Sequence, residues 1–440
     1  MQKHYLKKNY AQRGIALLMV LASLAMISGL VVEFAYNSHV TYNLALNEEE
    51  KLQAYYLAES GVVFSKMILS YDQEARKLAD QAKKKYGKNF KLRPLYEMLP
   101  INSALLRGMA GMVSPPSELE ENPSEEESIK PVSPLSTPAV KPETQASLAE
   151  GQEKEAKDFF DFKGDFLAEI HEEDAKINLN SFYNLSPTQK EYTYLKSILY
   201  HLLVREEFKG LFEDRYRDAA QLVQNIADYI DRDDAVNDAE GQDRGREGIS
   251  KDQGIKMKNA KLLTVEELRL VPGMTDAIYR KIKDRITVYG KDEKVYLCRA
   301  DDALLEAFVL AYAESNTQIE PLRDDNQELL DKAKEAMTNT CPDLNNARAE
   351  LNKVLGIEEG ATGDSTSPTG TESAPSESRP SQSSKGSTLT GFFGLAKDQA
   401  SVFSVLSIGN IGETEVRIKA VLDTSTGNSR TWKELYWRVE

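Results

Sequence analysis

The clearest pattern in the chain is an apolar run from Ile15 to Val32 that contains no charged residue. At about 1.5 Å per residue, a helix of this run spans roughly 27 Å, close to the hydrocarbon thickness of a bilayer. Basic residues precede the run, at Lys3, Lys7, Lys8 and Arg13. By the positive-inside rule, the pattern predicts a cytoplasmic N-terminus and export of everything after Val32.

The junction between Gly14 and Ile15 places a small residue before the apolar run. A secretory signal instead has its cleavage site after the apolar core. Cleavage after Gly14 would remove a basic leader, residues 1–14, and leave the apolar helix, residues 15–32, at the new N-terminus. The arrangement resembles a type IV prepilin signal, and an uncleaved membrane anchor is the alternative.

The helical pattern continues beyond the membrane run, because no Pro and no Gly occurs between Glu33 and Ser60. Apolar residues then recur at three-, four- and seven-residue spacing, which predicts a face that packs on a globular body. These residues are Leu52, Tyr56, Val63 and Met67. We therefore expect one continuous helix of more than fifty residues, apolar all round at first and amphipathic to about Leu69. A weaker helical stretch follows, and the region 33–112 as a whole contains the amphipathic helix and the start of the pilin domain.

Low-complexity segments divide the remainder. Residues 113–157 are rich in Pro, Ser and Glu, and residues 356–389 in Ser, Gly, Thr and Pro. Such compositions bury too little apolar surface to offset the entropy of ordering, so both are predicted to be disordered linkers. Between them, the pattern predicts a hairpin at 158–180 and helices over 181–355, with antiparallel strands in 390–440.

Charge and motifs restrict the function. The net charge of −15 argues against nucleic acid as the main partner, since phosphate binding needs a basic face. The sequence has no P-loop, G-x-S-x-G or H-E-x-x-H motif, so it predicts no enzymatic activity. An exported location permits a disulfide between Cys298 and Cys341, but their spacing does not demand one.

Several stretches, in this order, resemble a known family: Arg13–Leu21, Lys176–Ser181, Ala227–Asp234, Leu263–Thr275 and Tyr436–Glu440. Together they resemble general secretion pathway protein K, the large minor pseudopilin of type II secretion systems. The resemblance implies an α+β fold, in which a pilin-like long N-terminal helix and an antiparallel sheet are interrupted by a large inserted α-helical domain. The inserted domain is expected to be SAM-like or helix-hairpin-helix-like. Residues 295–303 depart from the family's usual sequence.

The family also implies a function, which is to initiate or cap the tip of the periplasmic pseudopilus that drives protein export across the outer membrane. The expected partners are other minor pseudopilins of the tip complex, the major pseudopilin and the prepilin peptidase. A single pass through the inner membrane would leave most of the chain in the periplasm. Cleavage by the peptidase would make Ile15 a methylation site.

Met19 becomes the fifth residue of the cleaved chain, where major pilins resemble one another in carrying a Glu. That carboxylate is taken to pair with the N-terminal ammonium of the preceding subunit, since an unpaired charge in a bilayer is costly. An apolar residue at this position cannot neutralise an earlier subunit, which suits the first place in a fibre. Met19 therefore predicts a position at the tip.

Acidic residues cluster after a predicted helix, at Asp231, Asp233, Asp234, Asp238, Glu240 and Asp243. Calcium takes six to eight oxygen ligands, and the family resemblance implies calcium binding in the helical domain. Ala235 and Val236 exclude an EF-hand loop. A calcium site and a solvated acidic turn both remain open.

The stretch Leu268–Ile282 resembles a helix-hairpin-helix, a motif that often binds DNA phosphates. Lys281, Lys283 and Arg285 provide basic charge there. A membrane-anchored periplasmic DNA-binding protein is therefore the alternative function, although the exported location and acidic composition favour a packed protein-interaction unit with no nucleic acid partner.

Overall fold

A computed structural model of the chain describes residues 8–86, 93–113, 162–233, 235–237, 243–246, 257–316, 319, 322, 326–357, 391–427 and 429–440. The two predicted linkers lie almost entirely outside the described residues, as does the first half of the predicted leader, residues 1–7. Within the described part the chain is α+β, as the sequence predicted.

The helices are α1 (Lys8–Tyr86), α2 (Leu95–Met98), α3 (Ser103–Val113), α4 (Ser181–Asn184), α5 (Lys190–Leu203), α6 (Arg215–Ile230), α7 (Asp276–Ile282), α8 (Asp302–Glu314), α9 (Gln327–Thr340) and α10 (Leu344–Leu355). The strands are β1 (Ile101–Asn102), β2 (Asp165–Glu172), β3 (Ile177–Asn178), β4 (Ala235–Asn237), β5 (Asp243–Arg246), β6 (Ile286–Thr287), β7 (Val295–Tyr296), β8 (Ala396–Lys397), β9 (Val402–Ile411), β10 (Thr414–Asp423) and β11 (Lys433–Val439).

The largest sheet has the strand order β1-β2-β9-β10-β11. β1 runs antiparallel to β2, with Ile101 opposite Ala168. Its last strands, β9, β10 and β11, are the ones predicted within residues 390–440. Their alternation of apolar and polar residues is the period of a half-buried strand, which is why the sequence located them.

The hairpin predicted at 158–180 is wrong. β3 does not pair with β2 and instead forms a parallel ladder with β6, in which Ile177 lies opposite Ile286. A 3-10 helix, Glu173–Ala175, replaces the predicted turn and is buried. Alternation on both sides of an acidic turn predicts two strands, but it cannot predict which strands they pair with.

Asp174 explains why this acidic turn is buried. Its carboxylate accepts hydrogen bonds from the backbone N–H groups of Ser401 and Val402, at 2.6 and 2.9 Å. It also pairs with the ammonium of Lys397 at 2.7 Å. A buried carboxylate is tolerated when hydrogen bonds and a counter-charge replace its water. The turn is therefore a fixed connection to the start of β9.

The chain divides into two compact units. The first comprises Met1–Glu169, Leu406–Lys419 and Arg438–Glu440, and the second comprises Ile170–Val405 and Ala420–Trp437. The helical region predicted over 181–355 lies within the second unit.

In the first unit, α1 forms one helix of 79 residues, as the uninterrupted pattern predicted. The predicted packing face is wrong, because Leu52, Tyr56 and Val63 are 55 to 59% exposed. The buried face carries Ala54 and Ala58, both fully buried.

Close backbone approach explains this choice of face. A Cβ atom on Gly409 of β9 would lie 2.1 Å from the carbonyl oxygen of Ala54 and 2.5 Å from the nitrogen of Ala58. One on Gly61 would lie 2.2 Å from the hydroxyl of Ser407. Small residues let the helix backbone pack directly on the strand at this point, and larger side chains such as Leu57, Phe64 and Leu69 are buried elsewhere along the same helix.

The second unit has a conventional apolar core built from α5, α6, α7 and α8. The 3-10 helix Gly391–Leu395 inserts Phe392 and Phe393 into this core, where both rings lie edge-on to Phe308 and Tyr312. Residues 391–395, which the sequence analysis assigned to the pilin-like domain, therefore belong to the core of the helical region.

Cys298 and Cys341 form a disulfide with a Cα–Cα distance of 5.7 Å. The bond joins the 3-10 turn Leu297–Arg299 to the end of α9. The sequence left this pairing open. The structure brings the two residues together because α9 packs on α8, and α8 follows that turn.

Candidate functional site

The predicted cleavage pair, Gly14 and Ile15, lies within α1. The apolar residues that follow are exposed in the single chain, with Leu18 and Met19 each at 68%. An apolar surface of this extent marks contact with a membrane or another protein. Within the described residues, one helix, Ile15–Ala82, is long and apolar enough to cross a membrane. The N-terminal helix therefore has the properties of a membrane anchor.

Two asparagines in the stretch Lys176–Ser181 fix distant parts of the second unit. The buried Asn180 accepts a hydrogen bond from the N–H of Leu262 at 2.7 Å and donates to the carbonyls of Leu262 and Val288. Asn178 donates to the carbonyl of Gly290 at 3.2 Å. These bonds replace backbone pairing where the chain is irregular, which explains why amide side chains occupy these positions.

The stretch Leu263–Thr275 holds two short helices. Thr264 and Glu267 form the capping box that the sequence predicted. The first helix, Val265–Leu270, is a 3-10 helix, and α7 follows a turn in which Gly273 has a φ of +87°. Only glycine adopts that backbone angle without strain. The motif is therefore a compact helical corner.

The basic residues of this corner do not form a phosphate-binding face. Arg285 pairs with Glu207 at 2.9 Å and with Asp301 at 2.5 Å. Lys281 and Lys283 lie exposed on the same corner. Because acidic partners neutralise the guanidinium of Arg285, the geometry gives no support to DNA binding at this corner.

The predicted calcium ligands are only partly described. Asp234, Asp238 and Glu240 lie outside the described residues, and for Asp243 only the backbone is described. β4 and β5 pair here as an antiparallel hairpin, where the sequence predicted a loop. Within the described residues, no group of three or more His, Cys, Asp or Glu side chains is arranged to hold a metal.

Among the predicted calcium ligands that the structure describes, Asp231 has the most unusual environment. It is 1% exposed, and one carboxylate oxygen accepts a hydrogen bond from the hydroxyl of Tyr192 at 3.0 Å. The other oxygen is buried and contacts no donor within the described part of the chain. Burial, together with repulsion from Asp233 and Asp228, raises the pKa of Asp231 to about 7.

Asp233 faces the same end of α6. Its carboxylate accepts from the N–H of Ala235 at 2.8 Å, and its carbonyl accepts from the side chain of Asn259 at 2.7 Å. Asn259 has a φ of +47°, in the left-handed region that asparagine tolerates. Asp231 and Asp233 thus lie together immediately after α6, and we call this feature the acidic corner.

A Ser–Glu–His cluster joins α5 to α8. No local pattern predicts it, because 113 residues separate His201 from Glu314. The hydroxyl of Ser197 donates to Glu314 at 2.6 Å, and His201 lies 2.9 Å from the same oxygen. These partners lower the pKa of Glu314. Since the serine proton goes to the carboxylate and not to the imidazole, the cluster does not have the geometry that activates a serine nucleophile.

Residues 175–291 match the family "Type II secretion system (T2SS), protein K". The match spans roughly a quarter of the chain and includes three of the stretches on which the family resemblance was based, so that resemblance is confirmed. It supports the minor pseudopilin role and gives no support to the DNA-binding alternative.

Among solved structures, the chain is similar to "The Crystal Structure of the GspK-GspI-GspJ complex from enterotoxigenic Escherichia coli Type 2 Secretion System". The identity is 15%, the match covers 63% of this chain and 80% of that chain, and the TM-score is 0.36. No curated protein matches the chain.

Proposed function

We propose that this protein is a minor pseudopilin that stands at the tip of the periplasmic pseudopilus and initiates or caps it. The observation that carries the proposal is the protein K domain on the same chain as a 79-residue helix whose apolar part includes Met19. The match to protein K supports a place in a type II secretion system, and the apolar part of the helix would allow the chain to pack into the fibre.

The tip position rests on the asymmetry of the N-terminal helix. After cleavage before Ile15, the chain would offer its own ammonium group to the next subunit. It has Leu18, Met19 and Val20 where another subunit's ammonium would need a carboxylate. An unpaired ammonium in the bilayer is costly, so a subunit that has no acid at this position fits best at the start of the fibre, where there is no earlier subunit whose ammonium must be neutralised.

The proposal includes specific partners and a location. Residues 15–32 of the helix would lie in the inner membrane, with most of the chain after Val32 in the periplasm. The prepilin peptidase would cut between Gly14 and Ile15, and other minor pseudopilins and the major pseudopilin would pack against α1. The exposed apolar residues Leu52, Tyr56 and Val63 support a partner on that helix, since water is an unfavourable environment for them.

Deletion and tagging test this function. Deleting the gene should reduce secretion and fibre initiation, and Met19→Glu should shift the tagged protein away from one end of the fibre. Met26→Glu is the matched control, because it adds the same charge to the same span without restoring the fifth position. Even labelling along the fibre by the unaltered protein would contradict the tip assignment.

We propose further that the acidic corner after α6 binds calcium. Asp231 supports this, because one of its carboxylate oxygens is buried and contacts no donor within the described part of the chain. Asp233 and the acidic residues up to Asp243 would complete an oxygen shell. Bound calcium would neutralise carboxylates that repel one another and stabilise the second unit by mass action.

A melting experiment on a soluble fragment, Glu48–Glu440, tests the calcium proposal. Calcium should raise its melting temperature relative to chelator, and Asp231→Asn should remove most of that rise. Asp284→Asn is the control, because it removes one exposed charge from the same unit. Identical melting curves in calcium and chelator would favour the solvated acidic turn.

A further inference from the structure

Asp231 is the first residue after α6, and its N–H donates to the carbonyl of Ala227 at 2.9 Å. The C-terminal end of a helix carries a negative partial charge, which opposes a carboxylate and favours a cation. Asp228 and Asp233 add like charge at the same end. A buried carboxylate at this position therefore needs a positive partner or hydrogen-bond donors.

Two positive side chains near the acidic corner have partners of their own. The guanidinium of Arg232 lies over the ring of Tyr183, 4.3 Å from its centroid. The ammonium of Lys196 donates to Gln224 at 2.5 Å, and its attraction lowers the pKa of Asp231 by less than either neighbouring carboxylate raises it. The acidic corner therefore keeps an excess of negative charge, which favours a bound cation.

The hydroxyl of Tyr192, on α5, divides the two oxygens of Asp231 between different tasks. It donates to Oδ2 at 3.0 Å, whereas Oδ1 is buried and contacts no donor within the described part of the chain. The phenol ring is fully buried and lies edge-on to Phe182, with 5.2 Å between the ring centroids. Because close packing fixes this ring, its hydroxyl stays on Oδ2 and the carboxylate has one fixed orientation.

We propose that Tyr192 is a positioning residue for calcium, which rests on the proposed function of the acidic corner: its hydroxyl holds Oδ2, so that Asp231 offers Oδ1 to the ion. Carboxylates bind calcium through one oxygen or two, and here the hydroxyl occupies the second. Hydrogen bonds to a ligating carboxylate orient it and commonly change metal affinity by about 10- to 100-fold. Without the hydroxyl, the carboxylate would lose this orientation before the ion arrives.

Tyr312, on α8, provides a matched control. Its hydroxyl is also buried and donates to the side-chain oxygen of Asn352 on α10 at 2.5 Å. Replacing either tyrosine with Phe removes one buried hydrogen bond and keeps the ring. Tyr312 bonds an uncharged amide, however, whereas Tyr192 bonds a proposed ligand. A difference between the two variants in calcium binding therefore separates positioning from general loss of stability.

Titration of the full-length chain in detergent with calcium chloride, followed by calorimetry, tests the proposal. Tyr192→Phe should raise the Kd for calcium about 10-fold or more, and Tyr312→Phe should leave it unchanged. Both variants should melt at a lower temperature in chelator, because each loses one buried hydrogen bond. Phe182→Leu is a second variant, which keeps the hydroxyl but loosens the ring that carries it, and should raise the Kd by a smaller factor.

The possible failures are distinct. An unchanged Kd in Tyr192→Phe, or an equal rise in Tyr312→Phe, would overturn the role of Tyr192 and leave the calcium site standing. Absence of calcium binding by the unaltered chain would overturn the calcium site and the role of Tyr192 with it. Secretion is not the measurement, so neither result affects the tip assignment.

Discussion

In the first compact unit β9 approaches α1 so closely that Gly409 has no room for a Cβ atom, whereas the second unit is built round large aromatic side chains. The first unit gains its contacts from small residues that let two backbones meet, and also from large buried side chains such as Phe64, whose ring lies edge-on to Phe166. The second gains them from apolar area and from buried polar anchors such as Asn180. The comparison teaches that a missing side chain can determine packing as strongly as a large one.

The largest expected effect comes from adding a side chain at the point in the first unit where β9 lies against the backbone of α1. Gly409→Val would place a side chain against the backbone of Ala54 and Ala58, which cannot move aside by rotating a side chain. We expect the free energy of unfolding to fall by about 3 kcal/mol or more. Denaturant unfolding of the Glu48–Glu440 fragment measures it. Gly108→Ala is the control, since a Cβ there meets nothing within 4 Å; equal loss in both variants would contradict the packing argument.

The second unit should depend instead on its disulfide. Replacing Cys298 and Cys341 with Ser removes a cross-link between residues that are 43 positions apart in the chain. Loop entropy sets an upper limit of about 4 kcal/mol on the loss, and disulfides typically contribute about 2–4 kcal/mol. Limited proteolysis measures where the stability is lost. We expect the variant to be cut near α9 while the β9 region of the first unit stays protected. Unchanged unfolding in reducing agent would contradict it.

Breaking a polar anchor of the second unit should have a somewhat smaller effect. Asn180→Ala leaves the N–H of Leu262 and two carbonyl groups without their buried partner. An unsatisfied buried group costs about 1–3 kcal/mol, so we expect a loss of about 2 kcal/mol. Thermal melting measures it, and Asn345→Ala on the exposed surface of α10 should change little. Equal melting temperatures for the two variants would contradict the role of Asn180 as an anchor.

Sequence periodicity predicted the elements better than their contacts. The continuity of α1, the C-terminal strands and the cap at Thr264 follow from local patterns, and the structure confirms them. The packing face of α1 was misassigned because both of its faces are apolar, and the choice depends on Gly409, more than 300 residues away. Partners joined across such distances, such as β3 with β6, leave no local pattern.

The candidate site divides in the same way. The junction at Gly14, the apolar Met19 and the acidic stretch from Asp231 are visible in the sequence because their chemistry is local. The burial of Asp231 beneath Tyr192 and the bond between His201 and Glu314 are not, since each needs a second helix to supply its environment.

The smallest expected effect concerns the Ser–Glu–His cluster between α5 and α8. His201 and Ser197 hold the pKa of Glu314 below its ordinary value of 4.5. A carboxylate with a lowered folded pKa adds stability that is fully present above the unfolded pKa and is lost as pH falls through the folded pKa. Glu314→Gln should therefore destabilise the second unit above about pH 5 and make no difference in strong acid. Glu314 is half exposed, so we expect less than about 1 kcal/mol. Melting temperatures between pH 3 and 7 test this, and Ser197→Ala should reduce the pH dependence in part. A difference between wild type and Glu314→Gln that persists unchanged at pH 3 would show that the residue acts by packing and not by charge.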